Sequence, residues 1–194
     1  MHTQHFFAMM SRMKYINRWG LMRNTRPENI GEHSLDVAMI AHALAVIKNR
    51  RFGGHVNAER AALLGLYHDA TEIITGDLPT PVKYYNPEIR AAYREVEQVA
   101  KDKLLSYLPE DIREDYLPLL GHSEEDRELW PLIKAADKLS ALIKCVEEKR
   151  MGNDEFKSAE ATLLRSIKEM ALPEADCFLA EFLPSYSLTL DEQE

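Results

Sequence analysis

The sequence predicts an all-α protein, a single helical bundle, on three observations. Apolar residues recur at helical rather than strand spacing along nearly the whole chain. Asparagine, glycine and proline fall between the periodic stretches, where helices start and stop. No stretch alternates apolar and polar residues as a half-buried strand does, and no internal repeat interrupts the pattern.

The elements follow in order. Residues 3–16 carry Phe6, Phe7, Met10 and Met13 at helical spacing, with Met9, Met10 and Met13 as core filler. A short connection holds Arg18, Trp19 and Gly20, and a second helix over 31–49 closes at Gly53-Gly54. On it Leu35, Met39, His42 and Val46 share a spacing that reads as an interior face, so His42 is expected to pack. Asn57 caps a third helix that the pattern extends to about residue 74, through His68 and Asp69. Gly76-Asp77-Leu78-Pro79-Thr80-Pro81 breaks regular structure, because each proline lacks an N–H and fixes its own backbone. Asn86-Pro87 restarts a helix to about residue 108, with Ile89, Tyr93, Val96, Ala100 and Leu104 on one face. Shorter helices are expected over 109–120 and from 123 towards 130. Pro131 opens a helix to about residue 151, and helices over 153–171 and 173–182 precede a polar tail.

Composition narrows the function. A chain of 194 residues, 45% hydrophobic, is the size of one compact domain and can bury a core without disulfides. Its net charge of -8 argues against a nucleic-acid partner, since phosphate binding draws on basic patches. The most basic run, Lys48-Asn49-Arg50-Arg51, falls where a helix ends and complements the helix dipole. Cys145 and Cys177 lack metal-type spacing and read as reduced thiols. With no signal-like segment and no apolar run of the ~20 residues that span a bilayer, a cytoplasmic protein without a membrane partner is expected.

The chemistry lies in four residues. His33 shares a helical row with Val37, Ile40, Ala41 and Leu44, and Asp137 shares one with Trp130, Ile133 and Ala141. A carboxylate in an apolar row is costly unless something pairs with it. A divalent ion held by His33, His68, Asp69 and Asp137 meets that need. Two imidazoles and two carboxylates without a thiolate suit one transition-metal ion of the cobalt, manganese, zinc, iron or nickel class better than magnesium.

Glu32-His33-Ser34, then His68-Asp69-Ala70-Thr71-Glu72, then Ala136-Asp137-Lys138 resembles the HD-domain metal-dependent phosphohydrolases, whose ligands come in the order His, His-Asp, Asp. His5-Phe6-Phe7-Ala8, Asn17-Arg18-Trp19, Gly76 to Pro81 and Pro184-Ser185-Tyr186 narrow the likeness to the bacterial 5′-deoxynucleotidases of that superfamily. The resemblance implies an HD-type helical bundle with the metal site in its core. It also implies hydrolysis of deoxyribonucleoside 5′-monophosphates to deoxynucleoside and phosphate. Arg18 would orient the phosphate, Trp19 would wall the sugar pocket, and Glu72 would transfer a proton. Asp77 would hold the 3′-hydroxyl, with Leu78, Pro79 and Thr80 lining the sugar and His33, Asp69 and Asp137 meeting substrate at the ion. Related nucleotidases associate, so a homodimer is expected. Two rivals remain: an HD-type enzyme for triphosphates, cyclic nucleotides or alarmones, and a non-catalytic helical binding module.

Overall fold

Asparagine side chains set the principal helix starts. The computed structural model describes residues 3–194 apart from Tyr84 and the Thr80 side chain. In chain order its helices are α1 (Phe6–Met10), α2 (Ile30–Arg51), α3 (Ala58–Tyr67), α4 (Glu72–Thr75), α5 (Thr80–Lys83), α6 (Pro87–Leu105), α7 (Glu110–Tyr116), α8 (Trp130–Arg150), α9 (Lys157–Glu169) and α10 (Pro173–Glu181). Asn29, Asn57 and Asn86 each accept a backbone N–H in the first turn of α2, α3 and α6. At α2 the cap is reciprocal, because the Glu32 carboxylate returns to the Asn29 N–H. Gly53 ends that helix at φ 67°, a left-handed turn that glycine adopts without strain. Among the described residues the sole extended pairing is an isolated bridge between Asn17 and Asn29.

The core forms where α2, α3 and α8 pack together and α9 and α10 close one side. Val37 and Leu44 of α2, Leu64 of α3, Leu132, Leu139 and Leu142 of α8, Ile167 and Phe178 share one buried cluster. Each such leucine contributes roughly 1.5–3 kcal/mol by leaving water. Phe6, Leu104, Leu105, Leu108 and Leu120 form a second cluster with Ala70, beside the turn that follows α3. Among the described helices α2 is long and apolar enough to cross a membrane by length and composition, yet more than half of that stretch is buried in this core. Gly65 lets α2 and α3 approach, since a Cβ there would stand 3.0 Å from the Ala38 Cα.

Several expectations are corrected. The third helix stops at Tyr67, and residues 68–71 form a tight turn before α4. Its bonds span three residues, Ala70 N–H to Tyr67 O at 3.0 Å and Glu72 N–H to Asp69 O at 2.9 Å. The His68 imidazole donates to the Gly65 carbonyl at 2.8 Å and so competes for the acceptor that an α-helix would give to the Asp69 amide. Residues 123–129 are turns rather than a helix, pinned by the Arg60 fork on buried Asp126 at 2.9 and 2.7 Å. Leu35, Met39, His42 and Val46 face solvent, because the competing row of Val37, Ala41 and Leu44 takes the core. On α6, Ile89 and Val96 are exposed and only Ala100, Leu104 and Leu105 are buried. Pro81 sits within short α5, where its missing N–H has no intrahelical partner to lose.

Candidate metal centre

Three elements bring the ligand-type residues together. The N-terminal part of α2 presents His33, with no exposed surface; the turn after α3 presents His68 and Asp69; and α8 presents Asp137 and Ser140. His33 Nε2 lies 3.1 Å from Asp137 Oδ1 and 3.6 Å from Asp69 Oδ2, and His68 Nε2 lies 3.1 Å from that same Asp69 oxygen. Ligand-type atoms of His33, His68 and Asp69 all fall within 4.8 Å of one another. Three of the four residues named from the sequence, His33, His68 and Asp69, therefore share one centre, and Asp137 lies against it through His33 Nε2.

This donor set fits a divalent ion. A carbonyl only accepts, so the His68 bond to Gly65 fixes the proton on Nδ1. That leaves the Nε2 lone pair of neutral His68 turned into the site, and the atom is buried with no partner in hydrogen-bond geometry. Ser140 Oγ stands 3.0 Å from His33 Nδ1 and can fix that ring in the same way. Electrostatics agree. Burial opposes charge on His68, but Asp69 and Asp137 overcome it and push the imidazole up to about 9. Burial likewise opposes charge on Asp69, yet His68, His33 and Arg18 hold it well below the usual carboxylate range. Two acidic groups, the Asp69 side chain 20% exposed and that of Asp137 42%, thus draw positive charge against buried His33, which a cation supplies as well as protons do.

The loop over residues 17–29 brings Arg18 to this centre. The Arg18 N–H bonds the Glu28 carbonyl at 2.9 Å, and Nη1 reaches Asp69 Oδ2 at 3.3 Å. Burial disfavours the guanidinium charge, but Asp137, Asp69, Glu28 and Asp77 together raise its pKa further. Trp19 adopts φ 58°, a left-handed conformation rare outside glycine. Asn24 Nδ2 donates to its carbonyl at 3.3 Å, and its ring packs on Phe156 at 5.2 Å. Glu72 is buried at the start of α4, where burial, then Asp69 and Asp77, push its carboxyl up to about 9. Leu78 and Pro79 are half-buried beyond Asp77, and the Thr80 side chain lies outside the described residues. A groove of about 480 Å³ opens elsewhere between α2 and α8, lined by Leu35, Asp36, Met39, Glu147 and Tyr186.

Sequence reasoning missed three residues around this site. Glu28 accepts from both Arg18 and Trp19, and Ser140 holds His33. Glu148, buried in α8, accepts from Thr25 and Asn153 and pairs with Lys144, tying down the loop. Ser140 lies three residues after Asp137, a helical spacing that could have flagged it; the other two carry no local signal.

A helical frame that gathers a His and a His-Asp pair around one centre, with an aspartate and an arginine against it, defines a metal-dependent phosphohydrolase of the HD-domain superfamily. It resembles an HD-domain phosphohydrolase of Listeria innocua with TM-score 0.78 and 26% identity, covering 94% of this chain and 88% of that one. The cyanophage S-2L HD phosphohydrolase, solved with dA and one catalytic Zn2+ ion, shares the fold at TM-score 0.66 and 19% identity, over 94% and 96% of the two chains. Residues 5–186 match the family model described as 5′-deoxynucleotidase YfbR-like, and the chain belongs to that family. A 5′-deoxynucleotidase of Photorhabdus laumondii is 55% identical, and one of Yersinia pestis 54%, each over 97% of this chain and 95% of its own length. The chain is accordingly a metal-dependent phosphohydrolase of nucleotides.

Proposed function

We propose that the chain hydrolyses deoxyribonucleoside 5′-monophosphates to deoxynucleoside and phosphate. One divalent transition-metal ion of the cobalt, manganese, zinc, iron or nickel class would be held by His33, His68, Asp69 and Asp137. The observation that carries this reading is a single atom, Asp69 Oδ2. It faces both imidazoles and, 3.3 Å away, the Arg18 guanidinium, so cation and phosphate meet at one place. Relatives 54–55% identical over nearly the full length bear the name of this activity.

An ion bound there supplies Lewis acidity and an activated water. Arg18 aligns the phosphate and offsets charge on its oxygens as the bond from phosphorus to the 5′-oxygen breaks. Glu72, whose carboxyl holds its proton at neutral pH, gives that proton to the departing 5′-oxygen as a water oxygen bonds to phosphorus, and the proton released by that water restores the Glu72 acid. Trp19 walls the sugar and disfavours a ribose 2′-hydroxyl. Asp77 accepts from the 3′-hydroxyl, with Leu78, Pro79 and Thr80 beside it. A single phosphate suits the site better than three. Besides Arg18, the cation that acts on Glu72 is Lys83, and Glu97 holds it at 2.9 Å.

The same reading includes a cytoplasmic homodimer that binds no nucleic acid. Exposed Leu35, Met39 and Phe182 offer apolar surface for the second copy. A sedimentation series checks the dimer, and a monomer at high concentration excludes it. The activity is tested by stripping the protein with a chelator, restoring ions singly, and measuring phosphate from deoxyribo- and ribonucleoside monophosphates and from triphosphates. Metal-dependent release from the deoxyribose monophosphates, lost in Asp69→Ala, is expected. Release mainly from triphosphates, or under no ion, overturns the assignment.

A further inference from the structure

Glu28 is a buried acid that none of the roles above uses. It is 9% exposed and lies one residue before the cap of α2. One oxygen, Oε2, accepts from Arg18 Nε at 3.1 Å and from Trp19 Nε1 at 2.9 Å. Arg18 thereby has Nε committed to Glu28 while Nη1 is left to face Asp69 and the centre. The Trp19 ring is fixed at two ends, its N–H on Glu28 and its face on Phe156. Backbone bonds hold the three residues in register, Arg18 N–H to Glu28 O and Ile30 N–H to Ile16 O, each at 2.9 Å.

We propose that Glu28 is the positioning residue that couples phosphate recognition to sugar selection, its one oxygen setting both the Arg18 guanidinium and the Trp19 indole. This rests on the deoxynucleotidase reading of the site. Glu28 touches neither substrate nor ion and acts through the two side chains that it orients. A rotation of the indole would open the space that a 2′-hydroxyl needs, and the same loss would free Arg18 to turn wholly onto Asp69. A shared acceptor therefore ties discrimination between sugars to capture of the phosphate.

The test compares Glu28→Ala and Glu28→Gln with wild type, using the metal-loaded protein and paired deoxyribo- and ribonucleoside monophosphates. The loop keeps its independent anchors on Glu148, Lys144 and Asn153, and melting curves verify folding of each variant. In Glu28→Ala the deoxyribose-over-ribose ratio of kcat/KM should fall about tenfold, the size expected on losing a buried hydrogen bond. The fall should come mostly through a lower KM for the ribose substrate, while KM for the deoxyribose substrate rises as Arg18 is released. Glutamine still offers an oxygen to the indole, so Glu28→Gln should keep the ratio within about threefold. The indole N–H resonance of Trp19, assigned against Trp130→Phe, should exchange with solvent faster in Glu28→Ala and not in Glu28→Gln. An unchanged sugar ratio in Glu28→Ala, or equal losses on both sugars with a protected indole, overturns the proposal. Wild-type protein that fails to discriminate between sugars instead overturns the deoxynucleotidase reading, and this coupling with it.

Discussion

Replacing Glu148 by alanine removes the hub that ties α8 to the loop carrying Arg18 and Trp19. This carboxylate, 1% exposed, accepts from Thr25 N at 3.0 Å, Thr25 Oγ1 at 2.8 Å and Asn153 Nδ2 at 2.7 Å, and it pairs with Lys144. Burial alone would raise its pKa. Lys144, the Thr25 N–H and Asn153 outweigh that and hold it at about 2, against an ordinary 4.5. At about 1.4 kcal/mol per unit, the difference is roughly 3 kcal/mol of stability at neutral pH. Removing one partner of a buried pair costs about 3–5 kcal/mol, because the other, here Lys144, is stranded. Urea unfolding of Glu148→Ala followed by far-UV circular dichroism should show a loss in that range. The unfolded carboxyl protonates near 4.5, before the folded one does, so the contribution is complete above that pH and vanishes as pH falls towards about 2. Wild type should weaken across this window by roughly 3 kcal/mol more than the variant does. A loss below ~1 kcal/mol, or identical acid profiles, refutes the reasoning.

Two further outcomes are expected. Glu72→Gln should bind the metal as wild type does, measured by elemental analysis after dialysis, while kcat falls about 10²–10⁴-fold; unchanged turnover removes Glu72 from proton transfer. Gly65→Ala should destabilise by about 1–3 kcal/mol, because the new Cβ would meet backbone atoms of Ala38 and Val37. A melting temperature equal to or above that of wild type would mean that the two helices separate freely there.

The all-helical class and the convergence of His33, His68 and Asp69 were legible because each residue sits in a periodic stretch with an ordered motif around it. What stayed hidden depends on contacts between distant parts of the chain. Nothing local marks Glu28 or Glu148, since their roles come from Arg18, Trp19 and Thr25 folding onto them. The turn at residues 68–71 has the sequence pattern of a helix, because no glycine or proline interrupts Tyr67 to Thr75, and the side-chain bond from His68 to the Gly65 carbonyl that accompanies the break leaves no mark in periodicity. On α2 two apolar rows compete, and periodicity does not say which one the rest of the molecule covers.

Asn29 belongs to two pieces of the molecule at once. It closes the loop of Arg18 by its bridge to Asn17, and its carbonyl receives the first amide bond of His33 while its side chain receives those of Gly31 and Glu32. The loop that carries Arg18 and the helix that carries His33 thus turn on a common pivot. A change in the path of that loop would therefore be felt in the first turn of α2, where the His33 amide bonds the Asn29 carbonyl.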